Sequence, residues 1–281
     1  LLVDEFVDGR NLGQNKKIET LYELLKKKVI EESERKYEYL KDYLKQEEFG
    51  GKCAIVDIGW NGGMQNAFEK IASVWDEPTQ ICGYYIGINT SNLGVNLNSV
   101  NGYVYEQNIH EENRYAIYSF AGPFELSLTA LHNTTVSYDI KDGKCVPIFG
   151  KGEYINTNGS FTKELKYTEM IQKGIKKFIK LTKEENLNSI LGFYSEPAFR
   201  NCKLFGLMPL LKHIELFDGF GANDLGEEQH FVSTKYRHLF GKYNIKTGFW
   251  KSTWKSGYLK MLFRLPLPYY KLYIKMRKKV N

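Results

Sequence analysis

The sequence predicts an α/β fold: a mostly parallel sheet flanked by helices, with a small hairpin insertion and a helical basic C-terminal tail. Three observations predict it. Short apolar runs of strand length alternate with longer segments of helical period. One of those runs breaks at a glycine-rich turn and is followed at once by a helix start. A single Asp142-Gly143 pair lies between two further strand-like stretches, the signal of a hairpin. Three parts result: a helical lead-in over residues 1–48, an α/β core over 49–228 and a basic aromatic segment over 229–281.

The elements follow in order. Residues 17–48 read as one or two helices, because Ile18, Leu21, Leu25 and Val29 recur at helical steps and Tyr37, Leu40 and Leu44 continue the stripe. Cys53 to Ile58 is a continuous apolar run broken only by Asp57, the pattern of a buried strand. After Gly59-Trp60-Asn61-Gly62-Gly63 a helix begins, with Met64, Phe68 and Ile71 on one side. Ile81 to Ile88 is the second strand, Asn89 to Asn101 a polar loop, and Gly102 to Tyr105 a short third strand. Residues 113–132 read as helical, interrupted at Ala121-Gly122-Pro123. Pro123 suits a first helical position, which puts Glu125 in the opening turn and His132 near the end. The hairpin joins Thr135–Ile140 to Cys145–Phe149. A basic amphipathic helix covers 163–183, and Ser195 caps another that runs to about Leu210. Residues 218–224 read as a glycine-containing loop.

Length and composition bound the function. A chain of 281 residues can bury a large core. Its 42% apolar and 26% charged residues are ordinary for a globular protein, whereas 15% aromatic, with 20 Tyr and 17 Phe, is high. Tyrosine-rich surfaces suit sugars and interfaces. Cys53, Cys82, Cys145 and Cys202 lie far apart with no C-x-x-C pair, so they read as reduced, apolar residues and not as a zinc site. No signal peptide and no bilayer-length apolar stretch is seen, which predicts a cytoplasmic protein. The chain does not begin with Met, and is expected to be the C-terminal part of a longer polypeptide.

Charge is unevenly placed. No acidic residue follows Glu228, while 13 Lys and Arg lie in 229–281 among Phe249, Trp250, Trp254, Tyr258, Phe263, Tyr269, Tyr270 and Tyr273. Basic side chains interleaved with aromatics suit an anionic membrane surface, with Tyr258–Leu265 lying flat in it. The membrane is therefore expected to be met through residues 249–281, peripherally and at its inner face. No nucleic-acid motif accompanies the charge.

The candidate chemistry centres on residues 57–65. Backbone N–H groups at a glycine turn and a helix start point outward together, and the helix dipole favours a phosphate there. Gly59, Trp60, Asn61, Gly62, Gly63 and Gln65 are the candidate ligand-binding residues, with Trp60 to stack on a sugar or base. The spacing is neither a Walker loop nor the dinucleotide fingerprint, and the same glycines serve a tight connection equally well. Asp57 is the first choice of catalytic carboxylate and Glu125 the second, ahead of Asp218, Asp224 and Glu227. Of the histidines, His132 is the one assigned to a pocket; His110, His213, His230 and His238 carry no assignment. Haloacid-dehalogenase-like phosphatases carry D-x-D after an apolar strand, but here Gly59 stands in the second position. Actin- and sugar-kinase-like ATPases carry D-x-G, which fits Asp57 and Gly59 without a second phosphate loop.

The stretch V-D-I-G-W-x-G-x-x-Q, with Val56, Asp57, Ile58, Gly59, Trp60, Gly62 and Gln65 in the matching places, follows a Tyr- and Leu-rich helix over Tyr37–Leu44. It resembles the C-terminal region of a family of multidomain bacterial proteins of surface-polysaccharide and lipopolysaccharide biosynthesis, often described as predicted haloacid-dehalogenase-like hydrolases. Phe124-Glu125-Leu126 to His132, then Tyr138, is similar too. The resemblance covers most of the chain, and the 56–65 motif carries its specificity. It implies a role in building a cell-surface glycan, with glycosyltransferase-like activity, and a hydrolase-like domain upstream of Leu1. The ligand would be a nucleotide-sugar or phosphorylated glycan. No cofactor or metal is implied, except magnesium if Asp57 served a phosphohydrolase. A third reading is a non-catalytic glycan- or partner-binding module.

Overall fold

The computed structural model describes residues 16–75, 78–89, 97–106, 110–185, 195–217, 219–224, 227–231 and 245–277. The protein is α/β. Its central sheet has three parallel strands in the order β1-β2-β3: β1 (Lys52–Asp57), β2 (Gln80–Gly87) and β3 (Val100–Tyr105). β1 and β2 answer to apolar runs in the sequence, whereas β3 starts at Val100, two residues before the predicted Gly102 and inside the segment predicted as a polar loop, because its pairing with Gly83 and Tyr84 is made by backbone. A parallel pair needs a crossover, and α2 (Gly63–Ala72) supplies it between β1 and β2.

The first strand departs from its predicted burial. β1 alternates, with Lys52, Ala54 and Val56 exposed and their neighbours half-buried. Val56 is 84% exposed, and its register partner Tyr84 also faces outward. The apolar run suggested cover on both faces, and the structure covers one. The reason lies in period two: side chains of a strand leave on alternate faces, so a run such as Ala54-Ile55-Val56 is necessarily divided between them.

On the covered face β2, through the Tyr85 hydroxyl, and the start of α2 are joined by one side chain. Gln65 is fully buried. Its Oε1 accepts from the Tyr85 hydroxyl at 2.9 Å, while its Nε2 donates to Glu69 Oε1 and to Ser99 Oγ, each at 2.9 Å. Gly83, two residues before Tyr85 and so on the same face of β2, must lack a side chain here. A Cβ at Gly83 would collide with Gln65 Oε1.

Two compact units divide the chain: one from residues within 1–49 and 133–151, the other within 50–132 and 152–281. In the first, α1 (Lys16–Gln46) is a single helix, and β4 (Thr135–Lys141) pairs antiparallel with β5 (Lys144–Phe149). The hairpin turns at Asp142 and Gly143 with φ of 51° and 75°. That is the left-handed pair that Asp-Gly supplies at low cost. The Gln46 side chain closes the β5 edge by donating to the Cys145 carbonyl at 3.1 Å and accepting from its amide at 3.0 Å. Leu44 is buried and Tyr43 stacks on Tyr138 at 4.8 Å. The predicted stripe does not continue toward the N-terminus, where Leu21, Leu25 and Val29 are exposed.

The second unit holds the main core. Here α3 (Glu111–Tyr118) and α4 (Ala121–Leu128) divide the segment read as 113–132, and α4 ends four residues before His132. Pro123 sits inside the first turn of α4. α5 (Lys163–Glu184) starts as the sequence predicts, capped by Thr162 Oγ1, which accepts from the Leu165 amide at 3.4 Å. α6 (Ser195–Leu207) and α7 (Leu211–Leu216) follow. Residues 218–224 were read as a loop. Instead β6 (Gly221–Asp224) pairs antiparallel with β7 (Glu227–His230). The loop reading weighted glycine and polarity, but backbone pairing needs neither apolar nor β-branched side chains. Asp218 and His238, and the side chains of Asp224, Glu227 and His230, lie outside the described residues.

The C-terminal region forms α8 (Ile245–Lys251), α9 (Lys255–Phe263) and α10 (Tyr269–Arg277). Its aromatics are mostly interior. Trp254 is fully buried in one cluster with Ile117, Phe120, Phe217 and Phe231, and its Nε1 donates to the Gly206 carbonyl at 2.8 Å. Phe249, Tyr258, Tyr269 and Tyr273 form a second buried cluster. Tyr258, Leu259 and Met261, read as part of a segment lying flat in a membrane, therefore pack inside the protein. Among the described residues no helix is long and apolar enough to cross a membrane.

Replacing Gln65 by Leu removes the acceptor of the buried Tyr85 hydroxyl while keeping much of the volume. Leaving such a buried polar group unpaired costs about 1–3 kcal/mol. Urea unfolding of Gln65→Leu and of Gly83→Ala should show losses of this order; a change below about 0.5 kcal/mol in both would mean that the amide does not hold α2 on the sheet.

Candidate functional site

The site begins where β1 ends. Asp57 closes a two-residue turn, its Oδ1 accepting from the Gly59 amide at 2.7 Å. The Trp60 carbonyl accepts from the Asn89 amide at 2.8 Å, which ties the turn to the residues just beyond β2. Gly62 then takes the left-handed conformation (φ 61°, ψ 16°) and leads into α2, with no side chain capping the helix. Its carbonyl accepts from the Asn66 amide at 3.0 Å. The amides of Gly63 and Met64 have no acceptor among the described residues, and both residues are exposed. These are unsatisfied first-turn donors at the positive end of a helix.

Trp60 brings a second segment to the turn. Its Nε1 donates to Glu125 Oε1 at 2.7 Å across 65 residues of sequence. The half-buried indole packs with Tyr105 (centroids 6.3 Å), Tyr118 (5.8 Å) and Phe124 (6.2 Å). Tyr105 is itself buried, and among the described residues its hydroxyl has no well-formed hydrogen bond, with the Tyr118 phenol beside it. Burial, with Tyr118 adding to it, pushes the Tyr105 phenol up. The charge of Glu125 also bears on Tyr154. Burial first, then Glu153, Glu125 and Glu164, raises its phenol above the ordinary value.

The residues singled out in the sequence are thus partly assembled. Trp60 and Glu125 meet, and Asp57 and Gly59 meet. Asn61 is exposed in the turn. Gln65 does not face a ligand, because both ends of its amide are bound within the protein. The Gly59 amide, expected to face an anion, is occupied by Asp57. Trp60 is walled in by rings and does not lie open as a stacking platform. His132 is exposed in the bend after α4. Tyr105, Tyr118, Phe124 and Tyr154 were not singled out for the site. For the three tyrosines the only signal is the high tyrosine count, which carries no positions, whereas Phe124 adjoins Glu125 in the stretch that carries the resemblance. Among the described residues no group of three His, Cys, Asp or Glu is placed to hold a metal ion.

No model of a protein family matches this chain, and no curated protein or solved structure gives a significant match.

Buried tyrosines make stability sensitive to alkali. Burial, then the carboxylates of Asp57 and Glu69, push the Tyr85 phenol up to about 12. Burial does the same to Tyr258, also to about 12. An unfolded tyrosine ionises near pH 10. Stability from these groups is therefore complete below about pH 10 and is lost as the pH rises towards 12. Urea midpoints measured across that interval should fall, and Tyr85→Phe should fall less steeply; equal slopes would sever the link.

Proposed function

We propose that this chain is a glycosyltransferase-like domain of bacterial cell-surface polysaccharide biosynthesis, of capsule or lipopolysaccharide, which binds a nucleotide-sugar at the start of α2. The resemblance at residues 56–65 supplies the biological class. One observation carries the chemistry: exposed, uncapped amides of Gly63 and Met64 follow within four residues of a Trp60 whose indole is bonded to Glu125. Diphosphate oxygens take the amides and the helix dipole. The carboxylate of Glu125, held by the indole, acts as base or orients an acceptor hydroxyl. A half-buried ring with a hydroxyl, such as Tyr118, suits the edge of a sugar, while the buried Tyr105 backs the Trp60 indole.

Asp57 has a different role in this reading. Its Oδ1 holds the Gly59 amide and so sets the turn. Phosphohydrolase chemistry at Asp57 is the weaker reading, since that oxygen is engaged and the second position of D-x-D is a glycine. Lipid-linked acceptors place the reaction at the inner face of the plasma membrane, with the domain peripheral to it.

Calorimetry with a panel of nucleoside-diphosphate sugars tests the reading. Gly63→Asp is the informative variant, because a Cβ at Gly63 meets nothing within 4 Å. A carboxylate there favours the helix by about 0.3–1 kcal/mol yet repels a phosphate. Binding should weaken at least tenfold while thermal stability holds or rises. Glu125→Gln should keep binding and lower sugar transfer by about 10²–10⁴. No binding of any nucleotide-sugar by the wild-type chain would overturn the reading.

A further inference from the structure

A cleft of about 1100 Å³ opens between α6, the Met208–Leu210 stretch after it, and the turn joining α9 to α10. Its walls include Leu207, Pro209, Pro268 and Tyr270. Its edge is apolar and uncovered. Met208 is 72% exposed, Leu210 52% and Leu204 51%. Across from them Leu267 is exposed, and Phe263 and Leu265 extend the apolar run. Exposed apolar groups scattered singly are ordinary, but a contiguous set marks a contact surface.

The turn that carries Leu265 and Leu267 is held from several directions. Arg264 is left-handed, with φ of 56°. The Leu265 amide donates to Tyr269 Oη at 3.2 Å, and that hydroxyl donates to the Leu265 carbonyl at 2.7 Å. Lys260 Nζ reaches the same carbonyl at 3.1 Å, and the Tyr269 amide donates to the Leu267 carbonyl at 2.9 Å. Pro266 and Pro268 fix two further φ angles. The leucines are thus presented to solvent on an ordered turn.

The charge around this edge has one sign. Arg200, Lys203, Lys260 and Lys271 line the cleft against a single acid, Glu196. That acid is paired with Lys203 at 2.6 Å. Arg200 and Lys271 are exposed and have no ion-pair partner among the described residues. We infer that this edge docks on the surface of an anionic bilayer, with Met208, Leu210, Leu265 and Leu267 in the acyl boundary and Arg200 and Lys271 at the phosphates. Apolar side chains ringed by cations match that interface in both respects. A nucleic acid offers nothing to the leucines, and a neutral protein partner needs no cations.

The inference rests on the peripheral location proposed above and names the surface that makes the contact. The full chain is sedimented with vesicles of phosphatidylcholine, alone and mixed with phosphatidylglycerol. Binding is expected only to the mixed vesicles, weakening with added salt. Arg200→Gln with Lys271→Gln should weaken it by roughly 25-fold, from about fivefold per cation. Met208→Glu with Leu267→Glu, both at exposed positions, should weaken it at least tenfold, whereas Met170→Glu on exposed α5 should leave it unchanged. Circular dichroism checks that each variant is folded. No binding by the wild type overturns both this surface and the peripheral location. Binding that survives both double variants overturns the surface and leaves the location standing. Equal binding to neutral vesicles overturns the role of the cations. A change of oligomeric state in the Met208–Leu267 variant, with vesicle binding intact, would make the edge an interface between copies and overturn the docking.

Discussion

The carboxamide of Gln65 is the constraint on which the geometry of the β1–turn–α2 unit depends. A helix packed on a sheet through apolar contacts alone can slide, because those contacts are not directional. A fully buried amide removes that freedom, since leaving either end unpaired carries a desolvation cost. Tyr85 from β2 and Ser99 before β3 take the two ends, and Glu69 takes the remaining hydrogen from within α2. The start of α2 is thereby fixed against two strands at once. Gly83 belongs to the same arrangement, because the oxygen of Gln65 occupies the place of its missing side chain. The exposed amides of Gly63 and Met64 inherit their position from a residue that itself faces inward.

The turn before α2 shows how a motif can be read correctly as a place and wrongly as a set of roles. Asp57, Gly59, Trp60 and Gln65 were legible as a cluster, since a strand, a glycine turn and a helix start are local features. Which way each group points is not local. Asp57 turns back on the Gly59 amide, as aspartate does wherever an N–H lies two residues ahead. Trp60 turns towards Glu125, a partner 65 residues away that no periodicity announces. The hairpin at Asp142-Gly143 was legible for the opposite reason: two positive φ values are demanded within the turn itself. Strand β1 was found but its burial was not. A continuous apolar run states what two faces are made of, and not which of them is covered. The β6–β7 pair was missed because backbone pairing at Gly221–Asp224 leaves no mark in side-chain hydropathy.

The basic aromatic C-terminal region combines two functions that composition alone cannot separate. Its rings are core material: Trp254 fills the main cluster, and Phe249, Tyr258, Tyr269 and Tyr273 build the second. Two of its cations, Lys255 and Lys260, are also engaged in structure. Lys255 Nζ donates to the carbonyls of Phe249 and Trp250, at 2.9 and 2.6 Å, and lies over both rings. It satisfies carbonyls at the C-terminus of α8, where the helix dipole favours a cation.

The net charge of a segment is therefore a poor guide to what it can attract. A lysine that caps a helix keeps its charge but has given its hydrogen-bonding directions to the protein. Lys255 and Lys260 are of this kind, and so is Lys203 through its pairing with Glu196. What remains for an external anion is set by geometry, in the cations that stand exposed beside apolar groups. Arg200 and Lys271 meet that condition, and they stand 71 residues apart in sequence, on different helices. One of them, Arg200, lies outside the basic segment altogether. The surface proposed to meet a membrane is thus assembled by the fold from α6 and α10, and the basic C-terminal segment contributes only part of it.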